Sequence, residues 1–385
     1  MVILKSSLTV ILISLTIIVY LITPAVLNGK ELKMPEDEDV DSSGFSSDGP
    51  VIVYQDSKVL NYSVIPNMNE TDGDLFEISV GEISKDDTLT CIVDETVNQF
   101  DFKLKENIQI EKDTYELPEK MLIISDIEGN FRGFQMILEG AGVINENFEW
   151  TFGNGHLVLN GDFFDRGINV NECLWLIYKL ESEAEMHGGK VHFILGNHEI
   201  MVLQNDLRYV RQKYFDNADS LGLDYSKWYS PETELGRWLR SKNAIENIGG
   251  YLFVHAGLSK DVPYGKYTLT QINDSIRYSI DIDFEREERR KNIFIGSKSP
   301  IWYRGIMEEE ETQAEVDSTL EIFNANKMVL GHTVVDSIKY LYNKKVIGID
   351  LHHQENSDKG FMYALFFENG EFYVINNSGN KSLLK

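Results

Sequence analysis

Five short apolar runs, at 121–124, 157–159, 191–195, 251–254 and 328–330, are each followed at once by polar residues. The polar blocks are Ser-Asp-Ile-Glu-Gly-Asn at 125–130, Gly-Asp-Phe-Phe-Asp-Arg-Gly at 161–167 and Gly-Asn-His-Glu at 196–199, followed by the isolated histidines His255 and His332, each close to a glycine. Apolar runs of this length, interrupted only by His192 in the third, read as strands buried on both faces, the pattern of parallel sheets. From residue 121 onward such runs alternate with helical patterns, so the chain is constrained to a layered α/β body. Its carboxylates, amide and imidazoles are then delivered to one edge of a sheet, where the strand carboxyl ends form a binding crevice.

The rest of the 385 residues bounds what this edge can do. A formal net charge of -26 excludes a nucleic-acid partner, because binding a phosphate backbone requires clustered Lys and Arg. With only two cysteines, Cys91 and Cys173, the chain builds neither a disulfide framework nor a thiolate metal site, and both read as small buried hydrophobes. Residues 6–29 are uncharged and dominated by Leu, Ile and Val, long enough to span a bilayer as a helix. Export to a periplasmic or other extracytoplasmic space is therefore expected, with 1–30 either a cleaved signal peptide or a single membrane anchor.

An acidic, Ser- and Gly-rich linker is expected over 31–50. Alternating segments at 51–54, 75–80, 88–93 and 100–104 predict a small β-rich domain over 51–117. The remaining 118–385 forms the α/β domain, with a mostly helical, Tyr- and Trp-rich insertion at about 201–250 expected to rim the site. Within it, 169–186 carries apolar residues at helical spacing and stops at Gly188-Gly189, and 361–375 reads as a hairpin turning around Asn369-Gly370.

Asp126 and Glu128 stand two residues apart just after a strand, in a loop where both carboxylates can turn toward one cation. Asp162 holds the same position after the next strand, and one carboxylate there can bridge two ions. Asn197 adds a neutral oxygen, and His255 and His332 add nitrogens. Such an oxygen-rich set suits manganese, iron or magnesium more than thiophilic metals. His198 directly follows Asn197 and is better placed to donate a proton, which requires an imidazolium supported by a carboxylate at its other ring nitrogen. Arg166 and Arg304, the latter in Trp302-Tyr303-Arg304-Gly305, can each grip phosphate oxygens bidentately.

This order of blocks resembles that of the calcineurin-like metallophosphoesterases, and its middle blocks are similar to bacterial serine/threonine phosphoprotein phosphatases. The resemblance covers 121 to roughly 355. It implies a two-layered β-sandwich flanked by helices, here preceded by the β-rich domain, and two divalent or trivalent metal ions at the strand ends, manganese first, with iron, magnesium or zinc as alternatives. Asp126, the residue at 128, Asp162 and His332 would hold one ion, and Asp162, Asn197 and His255 the other. A bridging metal hydroxide would attack phosphorus in line, His198 with its partner Asp165 would protonate the leaving oxygen, and Arg166 and Arg304 would bind the phosphate. The implied activity is hydrolysis of phosphate monoesters on phosphoproteins. Phosphodiesters or nucleotides are the alternative substrates, and a noncatalytic exported metal-binding protein is the alternative class. The chain departs from the family at Glu128, where the family has histidine. An anionic oxygen there would bias the first site toward harder ions, unless Glu128 instead holds a water or leaves that site weak.

Overall fold

The computed structural model describes residues 46–67, 75–94, 96 and 98–385. The apolar amino-terminal segment and most of the acidic linker lie outside the described residues. No helix among the described residues is long and apolar enough to cross a membrane.

The amino-terminal strands are β1 (Asp48–Gln55), β2 (Lys58–Pro66), β3 (Phe76–Ile83), β4 (Thr88–Ile92), β5 (Gln99–Lys103) and β6 (Thr114–Tyr115). Then come β7 (Lys120–Ile124), β8 (His156–Leu159), β9 (Lys190–Phe193), β10 (Ile245–Ile248), β11 (Tyr251–Val254) and β12 (Lys327–Leu330). The last are β13 (Lys339–Leu341), β14 (Val346–Gly348), β15 (Tyr363–Glu368), β16 (Glu371–Asn376) and β17 (Lys381–Leu383). One six-stranded sheet runs β17-β16-β15-β7-β8-β9 and a second runs β13-β14-β12-β11-β10-β6. Strands β7, β8 and β9 are parallel, as are β11, β12 and β14. These are the apolar runs of the sequence, and their side chains from Met121 to Ile124, Leu157 to Leu159 and Met328 to Leu330 are all but fully buried. The sheets face each other through such contacts as Tyr251 against Phe367 and Phe372, with ring centroids 5.5 and 5.1 Å apart.

Helix α1 (Phe131–Gly140) follows β7, and the predicted helix is α2 (Val170–Met186), which lies against β9. It ends at His187, with Gly188 in the left-handed region at φ +76° as a terminating glycine requires. The predicted hairpin is β15–β16: Glu368 pairs with Glu371 across Asn369 and Gly370, both left-handed, as a tight two-residue turn demands. β15 also pairs antiparallel with β7, with Leu365 opposite Ile123, so this hairpin completes the sheet that carries the first polar block.

The structure bounds these segments differently from the sequence in three places. Residues Asp41–Lys385 form one compact unit, so the β-rich region is not set apart at residue 117. The sheet β1-β2-β3 and the hairpin β4-β5 rest on α2: Trp175 Nε1 donates to the Pro50 carbonyl at 2.8 Å, and the Trp175 ring stacks on Phe102 at 4.4 Å. The linker is also shorter than expected, because Asp48 already belongs to β1 and its carboxylate is held by the amides of Asn171 and Asn217 at 2.6 and 3.1 Å. Likewise the insertion gives way at Ile245 to β10, and its aromatic residues Tyr214, Tyr225, Trp228, Tyr229 and Trp238 are buried. They fill the space beside α2, as when Tyr229 Oη donates to Asn171 Oδ1 at 2.6 Å. Cys91 and Cys173 are both buried and unpaired.

Candidate metal and phosphate site

The polar blocks converge because two neighbouring loops are laced together by backbone hydrogen bonds. Asp126 N donates to the Gly161 carbonyl, Glu128 N to Asp162 and Gly129 N to Phe163, at 2.9 to 3.0 Å. The loop after β7 thus runs alongside the loop after β8. The second sheet is tied to the same place by Asn160, which is fully buried. Its amide donates to the carbonyls of Val254 and Val329 at the ends of β11 and β12, while its own carbonyl lies 2.8 Å from His255 Nδ1. Two glycines are required by this crowding. A Cβ on Gly161, at φ +88°, would lie 2.5 Å from His255 Nδ1, and one on Gly196 would lie 2.2 Å from Asp162 Oδ1.

Asp126, Glu128, Asp162, Asp165, Arg166 and His332 all have left-handed backbone conformations, with φ between +50° and +69°. Such conformations cost on the order of 1–3 kcal/mol each for residues other than glycine and persist only where the surroundings enforce them. Here the interlaced loops do so, and the strained positions are the chemical ones. Glu199, at 0% exposure, supplies much of the enforcement. Its carboxylate accepts from Asp162 N at 2.9 Å, Phe163 N at 2.7 Å and Gly196 N at 2.7 Å, which locks the second and third blocks together. Burial pushes the Glu199 carboxyl up to about 7. Neither Glu199 nor Asn160 stands out in the sequence as a support; the signal for Glu199 was only its place at the end of the third block.

Among the described residues, ligand atoms of Asp162, His255 and His332 lie within 4.8 Å of one another, and so do those of Glu128, Asp162 and His198. Asp162 is common to both sets. Its Oδ2 is 3.1 Å from His255 Nε2, and its Oδ1 accepts from His198 N at 3.0 Å. Burial alone would raise the Asp162 carboxyl, but the surrounding histidines, His255 foremost, hold it well below its usual range. Asn197 Oδ1 lies 3.1 Å from His255 Nε2. Asp126 accepts from His332 N at 3.1 and 3.3 Å, and burial pushes its carboxyl up to about 6. This donor set fits cations. Three buried acceptor groups converge, and His332 Nε2 is buried without a hydrogen-bond partner among the described residues. His255, with Nδ1 facing the Asn160 carbonyl, presents Nε2 to the same space, the orientation of a supported imidazole ligand.

His198 and Asp165, paired in the reading of the sequence, are in contact. His198 Nδ1 is 2.6 Å from Asp165 Oδ2, and both side chains are buried. Burial disfavours the charged ring, yet Asp162 and Asp165 hold the His198 imidazolium above its usual pKa. Arg166 is half-exposed, and its guanidinium is paired with the Glu128 carboxylate. Glu128 therefore sits between Arg166 and the Asp162–His198 pair, and is not among the ligand atoms grouped with His255 and His332. Arg304 is exposed, and its guanidinium donates to the His332 carbonyl and to Thr333 Oγ1. It braces the loop that carries His332. Asp350, just beyond β14, is buried, with its carboxyl pushed up by desolvation and by nearby Asp126. Tyr209, in the insertion expected to rim the site but not singled out there, also borders it: its ring lies 5.4 Å from the His198 ring and 5.7 Å from the Arg166 guanidinium.

Residues 119–336 match the family model of the calcineurin-like phosphoesterases, and the chain belongs to that family. It is a phosphoester hydrolase with the mixed α/β fold of that family. Among its relatives, an uncharacterised protein of Schizosaccharomyces pombe is 32% identical over 228 residues, which cover 56% of this chain and 67% of that one. Shewanella-like protein phosphatase 2 of Arabidopsis thaliana is 28% identical over 285 residues, covering 62% and 72% respectively. Among solved structures, the cold-active protein-tyrosine phosphatase of a psychrophilic Shewanella species matches with a TM-score of 0.77 at 33% identity, over 88% of this chain and 99% of that one.

Proposed function

We propose that this protein hydrolyses phosphate monoesters carried on protein side chains, with His198 as the acid that protonates the departing side-chain oxygen. The observation that carries this reading is the buried His198–Asp165 pair at 2.6 Å, beside the half-exposed guanidinium of Arg166. A structural metal site needs neither a proton donor nor a phosphate grip. Asp165 occupies Nδ1, so Nε2 is the nitrogen that faces the substrate and delivers the proton. Arg166 binds two phosphate oxygens and fixes the bridging oxygen toward His198. Asp126, Asp162 and His332 would hold one cation and Asp162, Asn197 and His255 a second, manganese being the first choice for so oxygen-rich a set. When bound, the pair supplies Lewis acidity at the phosphate and lowers the pKa of attacking water.

The phosphoprotein assignment is supported by the similar Arabidopsis and Shewanella proteins, a Shewanella-like protein phosphatase and a protein-tyrosine phosphatase. The apolar stretch at 6–29 supports action outside the cytoplasm. The full chain, purified with manganese, is to be assayed on phosphopeptides and on an aryl phosphodiester beside Asp162→Asn and His198→Ala. Phosphopeptide turnover that both substitutions abolish is expected. Efficient diester cleavage with negligible phosphopeptide turnover would overturn the substrate assignment, and equal turnover by all three proteins would overturn the catalytic one.

A further inference from the structure

With the Glu128 carboxylate turned to Arg166, only Asp126, Asp162 and His332 are left for the first cation, fewer donors than a hard ion takes. The strand beside His332 offers another. β12 and β14 pair in parallel with Leu330 opposite Gly348. His332 is two residues past Leu330 and Asp350 two residues past Gly348, so both leave neighbouring strands at the same level. Hydrogen bonds keep these ends together, since Ile349 N donates to the Leu330 carbonyl and Val335 N to the Asp350 carbonyl, each at 2.9 Å. Asp126 reaches the same place from the other sheet. Its Oδ2 accepts from His332 N at 3.1 Å, and a Cβ on Gly331 would lie 2.5 Å from that oxygen. Asp350 is 3% exposed, and among the described residues no hydrogen bond or ion pair ends on its carboxylate. A carboxylate so deeply buried is costly unless it is paired, hydrogen-bonded or bound to a metal.

We infer that Asp350 is a ligand of the first cation, supplying the carboxylate that Glu128 gives to Arg166 instead. The inference rests on the cation assignment in the function proposed above and extends it. Besides burial, the groups that act on the Asp350 carboxyl are Asp126, His255, Asp162 and Arg304. Three of these four belong to the donor set, and the fourth, Arg304, bonds to the His332 carbonyl and Thr333. The first ion is then held by Asp126, Asp162, Asp350 and His332, three anionic oxygens and one nitrogen. So anionic a set favours manganese or magnesium over zinc. It also makes Asp350 a burden to the metal-free protein, because its carboxylate and that of Asp126 repel each other in a buried space with no cation between them. Glu128, in turn, is released to orient Arg166.

The full-length chain, Asp350→Asn, Asp350→Ala and Glu128→Gln, each stripped of metal and titrated with manganese, test this, with bound metal counted by elemental analysis and affinity read by calorimetry. The parent is expected to bind two ions. Both substitutions at 350 should weaken one of the two by at least about 10- to 100-fold, whereas Glu128→Gln should keep both near the parental affinities. Without metal, Asp350→Asn should melt no lower than the parent, and added manganese should raise its melting temperature by less. If Asp350 has only a structural place, Asp350→Asn melts lower without metal and still binds both ions as the parent does. That result overturns the ligand while leaving the phosphatase reading intact, and so does loss of an ion from Glu128→Gln alone. A parent that binds no manganese overturns the cation assignment and this inference with it.

Discussion

Replacing Asp165 by Asn is the sharpest probe of the proton-donor assignment, because it removes a charge with almost no change of shape. The carboxylate lies 2.6 Å from His198 Nδ1, and the two side chains are 0% and 4% exposed, so solvent does little to weaken the interaction. An amide oxygen can still accept from Nδ1, which preserves the ring's orientation, but the support for an imidazolium is lost. Hydrogen bonds to a charged group are worth about 1.5–3 kcal/mol. At 1.4 kcal/mol per factor of ten this corresponds to a loss of about 10- to 150-fold in kcat where leaving-group protonation limits the rate. The assay compares a phosphopeptide, whose side-chain oxygen departs as a strong base, with a nitrophenyl phosphate, whose leaving group departs as a stable anion. The phosphopeptide rate should show the full loss and the nitrophenyl rate less than about a threefold change. Metal content measured on the same samples should match the parent. Equal losses on both substrates would refute the reasoning, since they would place Asp165 in support of the site as a whole.

Two further outcomes test the surroundings. Glu199→Gln leaves one oxygen where two accepted from Asp162, Phe163 and Gly196, so it should weaken metal binding by about 10- to 100-fold, measured by titration calorimetry or by metal retained after dialysis. Far from the site, Lys242 and Lys190 overcome the burial of Glu111 and hold its carboxyl down at about 2, against an ordinary value of 4.5. Because the folded value is the lower one, this carboxylate stabilises the fold fully above pH 4.5 and loses that effect as pH falls toward 2. The gap corresponds to about 3 kcal/mol, so Glu111→Gln should be less stable at pH 7 and should lose stability less steeply with acid, as followed by urea denaturation at several pH values.

Much of the site was legible because its scaffold is made of parallel strands buried on both faces. Such strands appear in a sequence as continuous apolar runs, and the residue just past each run is marked by position alone. Asp126, Asp162, Asn197, His198, His255 and His332 stand one to three residues past such runs, and the structure brings them together. The paths of the side chains were not legible. Nothing in the spacing of Glu128 shows that its carboxylate turns to Arg166, because in a left-handed loop the direction of a side chain depends on which neighbouring loop it is bonded to. Asn160 directly follows the run at 157–159, yet its contacts, like those of Tyr209, are with segments remote in the chain and were not legible. For the same reason the β-rich region resembled a separate domain. Alternation shows that one face of β4 and β5 is apolar, but not that Trp175 of α2 covers it.

The pairing of β15 with β7 bears on how the protein matures. The strand leading into Asp126 cannot be flanked on both sides until the polypeptide has been made through residue 368, and His332 also comes late. Contacts between such distant segments form slowly, because a long loop must close before anything rewards its closure. A nascent chain therefore exposes its early carboxylates for most of its synthesis without the partners that would complete a tight cation site. A cation site built from these residues would be complete only after the last hairpin had closed, which would leave the growing chain little capacity to hold an ion tightly on the way.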